Sequence, residues 1–132
     1  MIEIALLTTA LLFGGMILYS FGFAAFVFNA LPAETAGPLI RRAFPHFYLF
    51  VLGTSVTAAA LAAIALNWTS VILLASIAAT TIFARQVLMP AINAATDTGQ
   101  KTRFKRLHGL SVLITLAHIV AAGFGIVRLS AL

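Results

Sequence analysis

His108, Ser111, Thr115 and His118 recur at intervals of three, four and three, which puts two imidazoles and two hydroxyls on one face of a helix. An imidazole there can bond a neighbouring helix or loop carbonyl, or it can ligate a metal or haem. A metal or haem site needs histidines from different helices at one depth. His46 with His108 is the pair that meets this condition, so His46, His108 and His118 are the weak metal candidates. Other chemistry is scarce. With no cysteine there is no disulfide, thiolate ligand or cysteine nucleophile, and the only acids are Glu3, Glu34 and Asp97. No phosphate-binding glycine loop, HExxH helix or nucleophile elbow is present. The chain reads as a binding or structural protein rather than an enzyme, with no resident cofactor expected and haem or copper as the alternative.

The elements that carry these groups follow from composition. Of 132 residues, 62% are hydrophobic and only 8% charged, and mean hydropathy is +1.11. Average soluble domains carry about 25% charged residues, and eleven charges cannot clothe a soluble core of this size. Lipid is the natural solvent. Four apolar stretches, about Ile4 to Asn29, Phe47 to Leu66, Ser70 to Leu88 and Leu107 to Val127, approach the roughly 20 residues needed to cross a bilayer. Barrel-type alternation is missing, so the spans are helices. The fold expected is all-α, an integral membrane antiparallel four-helix bundle in one domain over residues 1–132. Its helices fall at about 4–29, 45–66, 70–98 with a kink near Pro90, and 103–129. The first apolar run is too long for the h-region of a signal peptide and lacks amino-terminal Lys or Arg, so it reads as a retained span.

The connections carry the charge. Arg41, Arg42, Arg85, Lys101, Arg103, Lys105 and Arg106 fall on one side, leaving Arg128 opposite. The positive-inside rule makes that side cytoplasmic and sends both termini outward. The cations sit at loop edges without an aromatic stripe, so they read as orientation signals touching anionic lipid rather than as a nucleic-acid surface. Pro32 and Gly37-Pro38 are expected to break the chain, and Pro45 to open the second helix. Gly99 suits a stop and Thr102 a weak cap. Only Asn67 to Ser70 separate the middle spans, a tight hairpin. Small residues mark expected contact faces: Gly14, Gly15 and Gly22; Gly53, Thr57 and Ala60; Ala121, Ala122, Gly123 and Gly125. A homodimer through one such face, or a place in a larger membrane complex, follows from the same stripes.

In this topology Asn29, His46, Arg85, Gln86 and His108 reach one boundary, with Ser111 just inside it. An arginine at a helix centre costs about 2.5 to 3.5 kcal/mol and needs a partner. The spans offer Arg85 no carboxylate, so a phosphate or carboxylate ligand, an anionic lipid headgroup or backbone carbonyls at helix ends must serve, and Arg85 and His108 are expected to anchor a cytoplasmic-side polar vestibule that takes an anionic small molecule or lipid headgroup. His118, further in, reads as an interhelical hydrogen bond to a serine or threonine.

The ordered set Phe21-Gly22, Leu31-Pro32, Gly37, Phe44-Pro45, Ala84-Arg85, Pro90, Phe104 and "HGLS" at His108 to Ser111 resembles the transmembrane protein 205-like family. The likeness covers nearly the whole chain. It implies a four-span membrane protein of unknown chemistry, with Phe44, Pro45, Arg85, Pro90, His108, Gly109 and Ser111 at its pattern positions and His46 and His118 outside them. A more distant similarity to copper-resistance and haem-pathway four-helix membrane proteins keeps the metal alternative open.

Overall fold

The computed structural model describes residues 1–131. Four long helices hold nearly all of them: α1 Ile2–Ala30, α2 Ala33–Ile64, α3 Trp68–Asp97 and α4 Lys101–Ser130. Each contains a stretch long and apolar enough to cross a membrane, and no strand occurs among the described residues. The protein is a multi-pass integral membrane protein. At about 1.5 Å per residue, helices of 29 to 32 residues exceed the roughly 30 Å of hydrocarbon, so their ends project or the rods tilt. Connections of two or three residues make successive helices antiparallel neighbours, and α4 closes the ring against α1.

Helix α2 begins earlier than its prolines suggest. Pro32 is extended, with φ −60° and ψ 153°, and the helix starts at the next residue. It then runs through Gly37-Pro38 and Pro45 without a break. A helical proline deprives the carbonyl four residues earlier of its partner. Here those carbonyls belong to Glu34 and Arg41, both exposed near the helix start, where water can serve them. Helix α4 likewise begins at Lys101 with Gln100 as its cap position, not Thr102. Gly99 does end α3, at φ +68°. At the opposite end Leu66 takes φ 58°, and the Asn67 side chain caps α3 by accepting from the Ser70 amide at 3.2 Å.

Packing between the helices rests on small residues, as lipid offers no hydrophobic drive. A Cβ placed on Gly15 falls 2.6 Å from ring carbons of Phe50, and one on Gly123 falls 3.2 Å from the Phe13 ring. Gly125 faces Thr9. On α2 the expected stripe is corrected: Gly53, Thr57 and Ala60 face outward, and the buried face is Val51, Ser55, Ala58 and Ala62. Both stripes share the same spacing, and apolar lipid accepts either, so periodicity alone does not choose between them. Gly15→Leu should lower stability by about 1 to 3 kcal/mol through overpacking against Phe50. Gly14→Leu, with nothing within 4 Å of its added Cβ, should be nearly neutral. Denaturant titration in mixed micelles compares the two directly.

Candidate cavity at the basic end

The helical ladder widens twice. Leu18–Phe23 in α1 and Ala84–Leu88 in α3 are π-helical turns, a rare feature that inserts one residue and re-aims the helix beyond it. The second lies just upstream of Pro90, whose ring would crowd the Gln86 carbonyl in a regular helix. The wide turn relieves that crowding beside Pro90, and α3 continues to Asp97.

Both wide turns are tied to α2 beside Pro45. The Tyr19 hydroxyl donates to the Ala43 carbonyl at 2.8 Å, and Arg85 Nε donates to the Pro45 carbonyl at 3.3 Å. Tyr19, Phe23, Phe44, Phe47 and Tyr48 form a ring cluster around this turn, with centroid separations of 5.0 to 6.2 Å. Such offset and edge contacts are favourable beyond simple area. They hold the second half of α1 on α2.

That attachment opens the bundle. Close backbone approach between α1 and α4 is concentrated in Ile2–Ile17; past the wide turn α1 follows α2 instead. A cavity of about 740 Å³ fills the gap at the cation-rich end, and all four helices line it. Its walls are Ser20, Phe21, Ala24, Ala25 and Phe28 of α1; Gly37, Pro38, Ile40, Arg41, Phe44 and Tyr48 of α2; Met89, Ile92, Asn93 and Thr96 of α3; and Phe104, His108, Ser111, Val112 and Thr115 of α4.

Of the six residues expected to form the vestibule, His108 and Ser111 line this cavity; Arg85, Gln86, His46 and Asn29 do not. Arg85 finds its partners locally, in the Pro45 carbonyl and in Gln86 Oε1 at 2.9 Å. It acts as a brace between α2 and α3. Asn29 donates to the Ala25 carbonyl of its own helix, and His46 is exposed. His108 stacks flat on Phe104, with ring centroids 5.4 Å apart and 6° between planes. His118 is buried and bonds Thr80 Oγ1 across the α3–α4 seam at 2.5 Å, the interhelical hydrogen bond expected of it. Among the described residues no three of His, Cys, Asp and Glu are grouped to hold a metal ion.

Two residues at the cavity end escape sequence reading. Arg41, counted there only as a topology signal, lines the cavity, and it forms a bidentate pair with Asp97 at 2.7 and 2.9 Å. The available signal was that Asp97 is the one acid near the end of α3, beside the cations, in a chain with three acids.

Residues 7–101 match the family described as a domain of unknown function, DUF4149. The chain belongs to this family. No curated protein and no solved structure matches it. The DUF4149 match takes in the cavity walls of α1, α2 and α3, both wide turns and the Arg41–Asp97 pair, and it stops as α4 begins.

Proposed function

We propose that this DUF4149 protein binds a single membrane amphiphile, with the polar headgroup at the basic end and the chain in the cavity, and performs no covalent chemistry on it. The observation that carries this is the distribution of polarity along the walls. Deep hydroxyls serve their own helices: Ser20 bonds the Met16 carbonyl, Ser111 that of His108 and Thr115 that of Ser111. With those groups satisfied, Phe21, Ala24, Met89 and Val112 present an apolar slot. Towards the helix ends Arg41, Asn93 and His108 supply hydrogen-bonding groups. Cavities of about 300 to 1,000 Å³ with apolar walls and few polar anchors are the usual form of small-molecule sites.

The cation bias supports a cytoplasmic headgroup end with both termini on the outer side, and the family resemblance supports a bacterial inner membrane. The "HGLS" motif of α4, beyond the matched residues, supports kinship with the transmembrane protein 205-like family. The haem or copper reading gains no support: His46 lies outside the cavity that His108 lines, and His118 is engaged with Thr80. A second reading, contact with another copy or a larger membrane complex, rests on the outward small stripe of α2.

Native mass spectrometry from a neutral maltoside detergent tests the leading reading. We expect one amphiphile retained per chain after delipidating washes. Chains that release all lipid, or carry a graded series of adducts with no preferred stoichiometry, would overturn it. The same spectrum counts protein copies.

A further inference from the structure

We infer that Arg41 is the headgroup contact of this cavity, that the headgroup is a phosphate or carboxylate, and that Asp97 is a built-in competitor which the ligand displaces. This rests on the amphiphile reading above and adds to it the charge of the ligand and a means of selecting it. Arg41 is the only permanently charged side chain among the lining residues, and no carboxylate lines the cavity. Arg41 is therefore the fixed charge that a ligand meets directly, inside the positive field of the other cations at this end. Asp97 occupies both arms of the guanidinium fork, at 2.7 and 2.9 Å, in the bidentate geometry that phosphates and carboxylates also adopt.

The exchange is like for like. An incoming oxyanion takes over two N–H···O contacts and Asp97 gives them up. Asp97 Oδ atoms then return to water at small cost, because its side chain is already 55% exposed. A neutral headgroup gains less because it brings no oxyanion to displace Asp97, and a zwitterionic one because its cationic part adds a positive charge near Arg41. Two elements report the exchange: Arg41 belongs to α2 and Asp97 ends α3, so binding unlatches these helices at their basic ends.

Dodecyl phosphate and dodecyl phosphocholine are suitable probes, titrated by native mass spectrometry into the delipidated protein in neutral maltoside. The parent should prefer dodecyl phosphate. Arg41→Gln should lose that preference, with dodecyl phosphate binding weakened roughly tenfold. Asp97→Asn should bind dodecyl phosphate roughly two- to fivefold more tightly, because the competitor is gone. Both variants break the same ion pair, so a merely structural role would move them in the same direction. Opposite directions are diagnostic. Equal binding of both probes by parent and variants would overturn the inference and leave the cavity reading standing. A parent that takes up neither probe would overturn the cavity reading and this inference with it. Displacement of dodecyl phosphate by an equal concentration of inorganic phosphate would overturn the amphiphile as ligand.

Discussion

If the cavity holds the proposed amphiphile, Ala24→Trp should lower retained lipid at least tenfold while leaving the fold intact. Ala24 lies one residue past the wide turn of α1, partly buried in the cavity wall. An indole projecting from it meets Phe44, Met89 or Val112 across a space that the backbone leaves open. Filling a void adds dispersion contacts without displacing packed atoms, so stability should hold or rise slightly. The matched control is Ala117→Trp, which adds the same ring to an exposed, lipid-facing position of α4. Native mass spectra and thermal unfolding of the pair separate occlusion from a general effect of tryptophan. Equal lipid content in the two variants would show that the amphiphile sits elsewhere.

The spans were readable because the medium imposes them. Lipid demands long apolar runs and closed backbone ladders, and four such runs leave one arrangement for short connections. Helix boundaries were less readable, and α2 shows why. Proline carries a strong expectation of a break, yet the carbonyls freed by Pro38 and Pro45 lie on the first turns of a helix leaving the membrane. Only the position relative to water, which no local rule supplies, makes these prolines tolerable. The choice between the Gly53 stripe and the Ser55 stripe failed for a related reason: two faces of equal spacing are distinguished only by what the neighbouring helix offers.

Legibility of the site divides along the same line. His108 and Ser111 line the cavity, as a polar stripe that points inward on a membrane helix suggests. For Arg85 the sequence leaves an anionic ligand and a helix-end carbonyl open as partners, and a wide turn beside Pro45 supplies the carbonyl. No sequence pattern announces a π-helical turn, and both such turns decide where the cavity opens. Arg41 was hidden by its neighbours: in a run of boundary cations each looks like an orientation signal, and only the Asp97 partner 56 residues away gives it a particular role.

Phe47→Ala should give the largest loss of stability, about 2 to 3 kcal/mol, measured by denaturant unfolding in mixed micelles. Phe47 is 2% exposed and heads the fully buried side chains by volume among the described residues. Its ring lies 5.0 Å from Tyr19, 5.3 Å from Phe44 and 5.4 Å from Tyr48. Truncation removes the centre of the cluster that fastens the α1 wide turn to α2. Large cavities in cores cost about 3 to 5 kcal/mol in water-soluble proteins; the lower figure applies here because lipid supplies no transfer term and only packing is lost. The void would adjoin Phe44 and Tyr48, which line the cavity, so α1 should loosen there, and on the proposed function lipid retention should fall as well. Leu49→Ala, on the exposed face two residues on, should change stability by no more than about 0.5 kcal/mol. If the two alanine variants unfold at the same denaturant concentration, the aromatic cluster does not hold α1 in place. The opening of the bundle would then require a cause within α1 itself, in the wide turn at Leu18–Phe23.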